Sequence, residues 1–477
     1  MATRSSVRPL LVRATVHALE PDLTPLRALE AVENDPHTLF LESGGPEGEG
    51  ARWTLLAFDP LYRLEVRGGA LRRVPATGAT TQIPGDPMTA LARAWPEPVE
   101  YEDGCPALPF RSGLAGYLSY DLKDSIERYP SSARRESSLP DLSLGFYDVV
   151  FAWDRTTGEG WAVSTGLPER DPELRKRRAE GRLQSSLETL RRAPAGSGPA
   201  ARAPAAPLVS NFTREGYLRV VECALEHIAA GDIYQVNLAQ RFRLESAPAA
   251  PALYRTLRDE SPAPFASLVT TTNGGIVSSS PERFFLIEGN RIETWPIKGT
   301  RPRGSTPAED EDLARALSRS AKDRAENVMI VDLERNDLGR ICEIGSVRVT
   351  ALCEVQRFAN VHHLVSRIEG TLREDVVPAD VIRATFPGGS ITGAPKIRAV
   401  EIIDELEPTR RGPYTGAIGY WDVSGACDFN IAIRTIVVEA GAASFHVGGG
   451  IVADSTPEGE YEETLIKAAG MRRALSA

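Results

Sequence analysis

Apolar positions along the chain recur at two spacings, and each change of spacing marks a change of element. Thr38-Leu-Phe-Leu-Glu-Ser43, Trp53-Thr-Leu-Leu-Ala-Phe58 and residues 146–153 are short, apolar and bounded by Gly/Pro-rich turns, a pattern that predicts strands. Residues 284–294 alternate or run apolar around Gly289-Asn290, which predicts two strands joined by a tight hairpin. In Gly231-Asp-Ile-Tyr-Gln-Val-Asn-Leu238 a period of two sends Tyr234, Val236 and Leu238 to one face and Gln235 and Asn237 to the other.

Helical spacing takes over elsewhere. Leu183, Leu187 and Leu190 form the apolar stripe of a helix over 171–192, with Arg175-Lys-Arg-Arg178 on its solvated side. Tyr217, Val221, Leu225 and Ile228 make a second stripe, stopped by Gly231. Thr306-Pro-Ala-Glu309 opens a third helix, with threonine as cap, proline in the first turn and glutamate placed to complete a capping box. Residues 322–339 predict a long helix with Glu326 near its middle. Thr456-Pro457 starts the last helix, where Glu460, Glu463 and Lys467 share one face while Tyr461, Leu465 and Ala468 point to the core. Read alone, those charges belong to a solvated face. Residues 192–207, rich in Ala, Pro and Gly, read as a linker. The division expected is an accessory domain over 1–192, a linker over 193–209 and a second domain over 210–475.

Composition narrows the class. A chain of 477 residues with 55 Lys plus Arg against 65 Asp plus Glu carries a net charge of -10, which argues against a general nucleic-acid surface. Its five cysteines show no C-x-x-C spacing, so they read as reduced core thiols rather than a zinc site or disulfide framework. Arg13 interrupts Leu10-Leu11-Val12, and no later apolar run approaches membrane-spanning length, so a cytoplasmic protein without membrane contact is expected.

One lysine stands out. Lys298 lies in Glu293-Thr-Trp-Pro-Ile-Lys-Gly-Thr-Arg-Pro-Arg-Gly304, a turn between a predicted strand and a helix start, with Arg301 and Arg303 close by in sequence. It reads either as a solvated loop cation or as a nucleophile deprotonated by burial and nearby positive charge. Moving an ammonium from ~10.4 to about 7.5 takes on the order of 4 kcal/mol.

Ser280-Pro-Glu-Arg-Phe284 followed by Pro296-Ile-Lys-Gly-Thr-Arg-Pro-Arg303 resembles the chorismate-utilising enzymes. The resemblance implies an α+β fold of large antiparallel β-sheets packed together, with helices on the outside. It implies that Glu282 is the general acid for the departing 4-hydroxyl of chorismate and that Lys298 is the nucleophile at C2. Ammonia then displaces Lys298 by attack at C4, giving 4-amino-4-deoxychorismate for 4-aminobenzoate and folate synthesis. His363 matches a histidine linked to pyruvate elimination, which keeps open the alternative of amination at C2 and anthranilate formation. Gln235 stands where water-adding relatives carry a lysine base, which favours ammonia as nucleophile.

The resemblance further implies Mg²⁺ held by Glu326 and Glu463, with Glu460 in or beside that shell; Asn327 departs from the family's histidine there. Residues 386–396 form a glycine-rich turn feeding a helix over 397–406, whose first amides suit an anion, although the G-x-x-x-x-G-K-[ST] order is absent. Ser390, Thr392 and Gly393 in that turn, with Gln235, Tyr414, Arg434, Gly448, Gly449 and Lys467, are the implied substrate contacts. Phe40-Leu-Glu-Ser43 resembles an element that helps bind tryptophan in feedback-regulated relatives, and reads equally as a strand ending at Gly44-Gly45. The other half of that pocket, Ser261-Pro-Ala-Pro-Phe265, lacks the usual asparagine, so tryptophan inhibition is not expected. No G-x-C-x-G-x-Q glutaminase motif is present, so ammonia is expected from a separate glutamine amidotransferase subunit.

Overall fold

Strand Trp53–Ala57 buries both of its faces: Leu55 and Ala57 enter one apolar cluster and Leu56 another. Strand Val149–Asp154 repeats the pattern, with Val150 and Ala152 on one side and Phe151 and Trp153 on the other. Two-sided burial requires a layer on each face. The computed structural model, which describes residues 9–44, 51–102, 105–129, 132–192, 207–358 and 361–476, supplies those layers as two sheets packed together with helices outside. This is the α+β architecture expected.

Each sheet has twelve strands among the described residues, and their pairings are antiparallel. The first runs from Val209–Ser210 through Gln235–Leu244, Ala442–Ile451, Thr435–Glu439, Gly274–Ser280 and Phe265–Thr271 to Leu39–Glu42, Trp53–Ala57, Val149–Asp154, Gly160–Ser164 and Thr15–Ala18. The second begins at edge strand Ile297–Pro302 and continues through Val361–Thr371, Arg291–Trp295, Arg283–Glu288, Cys427–Ile431 and Ala417–Asp422 to strands from the first 150 residues. Segments from before and after residues 193–206 thus share both sheets, while most of the predicted linker lies outside the described residues.

Between the sheets, Leu39, Val150 and Ile276 of the first meet Ala115, Tyr117 and Tyr420 of the second. Helices Pro172–Arg191, Ala250–Glu260 and Pro457–Ser476 cover the outer face of the first sheet through Leu187, Leu257 and Met471. Helices Pro87–Ala94, Ala321–Gly339 and Pro378–Thr385 cover the second through Leu91, Val331 and Ile382. Among the described residues no helix is long and apolar enough to cross a membrane, and all five cysteines are free.

Several local expectations change. Residues 146–153 are not one strand but parts of two, Leu142–Tyr147 in the second sheet and Val149–Asp154 in the first. The chain changes sheets at Asp148, a fully buried carboxylate that accepts hydrogen bonds from Arg182 at 3.0 to 3.2 Å. Arg175 is buried rather than solvated, donating to the carbonyls of Arg170 and Leu11. Thr306 caps its helix as expected, but Glu309 reaches back to the Ser305 amide instead of closing a box on Thr306. Glu326 falls in the second turn of Ala321–Gly339, and Tyr234 precedes its strand and is 73% exposed. In the last helix the inward stripe is Glu460, Thr464, Ala468 and Met471, with Tyr461 and Leu465 only partly covered.

The Asp148 crossing yields a stability prediction. Removing the guanidinium in Arg182→Met leaves the buried carboxylate only the longer ion pair to Arg178 at 3.7 Å, and unfolding stability is expected to drop by about 3 kcal/mol. Chemical denaturation at neutral pH measures it, and an unchanged midpoint would exclude the ion pair as the lock on the crossing.

Candidate functional site

Two crossings between the sheets run side by side. In one the chain leaves Gly274–Ser280 and enters Arg283–Glu288; in the other it leaves Cys427–Ile431 and enters Thr435–Glu439. They are stitched by hydrogen bonds from Ile431 N to Glu282 O (3.0 Å), Ser280 Oγ to Ile431 O (2.5 Å) and Ser279 N to Arg434 O (3.1 Å). Glu282 and Arg434 are therefore held together by backbone, each on a link between sheets. Arg434 adopts φ +50° and Thr415, next to Tyr414, φ +59°, left-handed conformations that non-glycine residues keep only where the surroundings impose them.

Glu282 is 4% exposed, and burial raises its carboxyl above the usual range against the lowering effect of a hydrogen bond from Ser390. That bond runs from Ser390 Oγ to Glu282 Oε1 at 2.6 Å, and the carbonyl of the same serine accepts from Lys298 Nζ at 3.1 Å.

Lys298 sits on edge strand Ile297–Pro302, not in a turn. The pairing with Val361–Thr371 slips between Lys298 and Thr300, and Gly299 at the slip has φ +75°, a bulge that re-aims the lysine. A Cβ on Gly299 would lie 2.9 Å from Leu317 and 3.0 Å from Asp323, so only glycine fits. The Lys298 ammonium is pushed down chiefly by burial; Glu326 opposes this and Lys467 adds to it. Arg301 and Arg303 are not the cause. They pair with Asp323 at 2.9 Å and Asp310 at 2.7 Å, which neutralises their charge.

His363 stands beside Lys298 on the adjoining strand, its Nδ1 3.0 Å from Thr300 Oγ1 and 3.4 Å from Gly299 O, and its Nε2 3.5 Å from Arg434 Nη2. Burial and then Arg434 push it down to about 3, so it is a neutral imidazole. A carbonyl at Nδ1 and a guanidinium at Nε2 assign the proton to Nδ1. Buried Asn327 donates to Leu364 O and accepts from Ser366, tying helix Ala321–Gly339 to this strand.

The acidic groups lie on two helices. Burial raises Glu326, with Lys298 and Lys322 working the other way. Glu463 is lowered, because Lys467 at 2.7 Å overcomes burial. Glu460 is 5% exposed and raised; Oε1 accepts from Ser455, while Oε2 has no hydrogen-bond partner among the described residues. Gly449 completes the cradle, since a Cβ there would stand 2.8 Å from Glu460 Oε2 and 3.2 Å from Glu463 Oε1. Among the described residues no group of three or more His, Cys, Asp or Glu stands together so as to hold a metal ion. The orphaned carboxylate oxygen above a side-chain-free strand does suit a hard cation that takes part of its shell from substrate and water.

Gln235 and Asn237 face the same side of strand Gln235–Leu244, with Gly450 directly across from Asn237. Gln235 is fully buried, and neither of its amide atoms has a hydrogen-bond partner among the described residues; nor does Asn237 Nδ2. Tyr414 stacks on His446 with ring centroids 5.1 Å apart. Lys467 donates to Gly448 O at 3.0 Å. Thr392 spends its hydroxyl within its own loop, on Gly388 O at 2.8 Å, and Gly393 packs against the Gln235 carbonyl. The residues in direct contact are thus Lys298, Ser390 and Glu282 on one side and His363 and Arg434 on the other, with the acidic helices adjoining.

Sequence reasoning missed Glu334. It is 8% exposed, accepts from Thr294 Oγ1 at 2.7 Å, and is pushed up to about 8 by burial, with Glu282 and Asp337 adding repulsion. A helix position eight residues after Glu326 gave no signal of it.

The chain belongs to the chorismate binding enzyme family, which it matches over residues 39–473. It is 40% identical to aminodeoxychorismate synthase of Streptomyces griseus over 92% of this chain, though it spans only 61% of that relative. It is 40% identical to aminodeoxychorismate synthase component 1 of Escherichia coli, covering 91% of this chain and 92% of the relative. At 39% it equally resembles anthranilate synthase component 1 of Thermus thermophilus, covering 95% of both. The crystal structure of anthranilate synthase component I from Streptococcus pneumoniae superposes with a TM-score of 0.77 at 32% identity, over 89% of this chain and 93% of that one.

The buried carboxyl of Glu334 predicts a pH effect on stability. Between its ordinary value of 4.5 and about 8 the folded chain keeps a proton that the unfolded chain has released. Its contribution is therefore present below the lower value and lost as pH rises through the higher one, on the order of 1.4 kcal/mol per pH unit. Glu334→Gln carries no such slope, so urea denaturation should find the variant close to wild type at pH 5 and more stable at pH 8. Parallel curves for both proteins would mean that Glu334 ionises freely in the native state.

Proposed function

We propose that this chain aminates chorismate at C4, producing 4-amino-4-deoxychorismate with ammonia delivered by a separate glutamine amidotransferase subunit. The observation that carries the reading is the Lys298–Ser390–Glu282 contact set, which holds a desolvated amine and a desolvated acid on one serine. Lys298 Nζ attacks C2 while Glu282 protonates the 4-hydroxyl, which leaves C4 as water as both double bonds of the ring diene shift. Ammonia then adds at C4, the double bonds shift back, and Lys298 departs as the free amine.

Arg434, Tyr414 and Lys467 serve the substrate carboxylates, and Gln235 offers a neutral amide to an incoming nitrogen nucleophile. Glu326, Glu463 and Glu460 are the residues that would hold Mg²⁺, which when bound offsets a substrate carboxylate facing these acids. The designation component 1 carried by the E. coli and T. thermophilus relatives supports a second, ammonia-supplying component.

A second reading has its own observation. His363 is neutral with an unprotonated Nε2 beside Arg434, suited to take a proton during pyruvate elimination after amination at C2, and the product would be anthranilate.

Incubation of the chain with chorismate, Mg²⁺ and an ammonium salt, followed by mass spectrometry with and without aminodeoxychorismate lyase, separates the two. The expected result is 4-aminobenzoate only when the lyase is present; anthranilate and pyruvate without it would select the second reading. Glu282→Gln is expected to lower turnover about 10²- to 10⁴-fold. Lys298→Ala should abolish the 4-amino product, and its survival would remove the covalent route. Gly449→Ala, which crowds Glu460 and Glu463, should raise the Mg²⁺ concentration needed for half-maximal rate, and an unchanged titration would detach these glutamates from the metal.

A further inference from the structure

Ser390 lies in a glycine-rich turn where a serine reads as a donor to an anionic substrate. Its hydroxyl and its carbonyl both have partners within the chain. The residue is 5% exposed, and its hydroxyl is committed to Glu282 Oε1 at 2.6 Å while its carbonyl accepts from Lys298 Nζ at 3.1 Å. We propose that Ser390 is a positioning residue: its hydroxyl decides which oxygen of Glu282 carries the acidic proton, and its carbonyl keeps the Lys298 amine in register with that acid. The inference rests on Glu282 and Lys298 being the acid and nucleophile of the proposed reaction.

The stereochemistry follows from hydrogen-bond roles. A carboxyl oxygen that accepts from a hydroxyl is the carbonyl-like one, so with Ser390 donating to Oε1 the proposal puts the acid proton of Glu282 on Oε2, while the Ile297 amide also donates to this carboxyl. A neutral lysine amine has two N–H bonds and one lone pair. Committing one N–H to the Ser390 carbonyl restricts rotation about Cε–Nζ and narrows the directions open to the lone pair.

The turn is rigid enough to set these directions before any substrate arrives. Thr392 Oγ1 closes it onto Gly388 O at 2.8 Å, and Arg411 Nη1 holds Ile391 O at 3.1 Å. Arg411 is in turn fixed by Glu407 at 2.6 and 2.9 Å. Gly389 lets the turn lie on helix Ala321–Gly339, where a Cβ would come within 2.8 Å of Leu333. Arginine, threonine and glycine thus brace the serine from three sides, and none of those contacts depends on a ligand.

The test compares wild type, Ser390→Ala and Ser390→Thr by steady-state consumption of chorismate with ammonium salt and Mg²⁺ from pH 6 to 10, alongside chorismate binding by calorimetry. Ser390→Ala keeps the carbonyl and loses only the hydroxyl. Its kcat is expected to fall about 10- to 100-fold, with KM and the binding constant changed less than about 3-fold. Removing a hydrogen bond to the charged form raises the acid's pKa, so the alkaline limb assigned to Glu282 should move to higher pH. Ser390→Thr, which retains a hydroxyl, should restore both rate and profile.

A weakened binding constant with an unmoved profile would make Ser390 a substrate ligand and overturn the proposal, as would failure of threonine to rescue a folded variant. Following loss of chorismate rather than one product keeps this result apart from the product question, since a chain forming anthranilate would show the same Ser390 signature. Full turnover by Lys298→Ala beside a shifted Ser390→Ala profile would defeat the lysine half of the inference and the functional reading, and leave the acid half standing.

Discussion

The ion pair between Arg283 and Asp428 sets the frame for everything around the acid. Both guanidinium contacts measure 3.0 Å, Arg283 is 6% exposed, and its plane lies 4.1 Å from the centre of the Trp295 ring. A fork-to-fork pair of this kind fixes direction as well as distance. Its consequence is local: Arg283 is the first residue after the chain has crossed from one sheet to the other, so pinning it pins Glu282 one residue earlier. The neighbouring crossing is bonded to the same stretch, which leaves Arg434 no freedom relative to the acid. The reactive side chains are therefore positioned by sheet edges and the links between them rather than by a free loop, where small displacements would be tolerated.

Electrostatics within that frame drives most groups toward their neutral forms. Burial raises Glu282, Glu326 and Glu460 and lowers Lys298 and His363. Glu463 alone of these acids is lowered, because Lys467 lies against it. Those directions favour the protonated acid and the neutral base relative to water, the sense that proton transfer requires. The lysine owes its shift to depth and to Lys467 across the site. Its sequence neighbours Arg301 and Arg303 are spoken for by Asp323 and Asp310, and their positive charge does not reach it unpaired.

How much of this was legible depended on how local the cause was. The hairpin at Gly289 could be read because a left-handed glycine, φ +64°, is a local demand. The cap at Thr306 and the leucine stripe of Pro172–Arg191 were readable for the same reason. Residues 146–153 misled because both faces are buried, so the apolar run continues through a change of sheet, and only Asp148 marks the break. Glu460 misled in the opposite way: it shares a helical face with Glu463 and Lys467, yet the stripe through Thr464 and Ala468 turns it inward. The catalytic motifs were found by resemblance. Their mutual geometry, above all the double use of Ser390, depends on contacts between residues about 90 to 110 positions apart and has no periodicity to betray it.

The choice between amination at C4 and at C2 comes down to two groups on adjoining strands. Lys298 and His363 belong to Ile297–Pro302 and Val361–Thr371, paired across the slip at Gly299. Both are desolvated, and both are turned toward neutral forms, the first proposed as nucleophile and the second as proton acceptor. What distinguishes them is whom they touch. Lys298 shares Ser390 with Glu282, so in the proposed reaction its attack and the departure of the 4-hydroxyl would be geometrically coupled. His363 is coupled instead to the Thr300 hydroxyl and to Arg434, whose crossing is bonded to that of Glu282. In a rigid frame the group tied to the acid has the advantage at the first chemical step, because bond making at C2 and bond breaking at C4 proceed together only if nucleophile and acid are held in one register. On the proposed reading the histidine acts only after a nitrogen has been placed at C2, so a lysine whose amine is free of its proton would act before it.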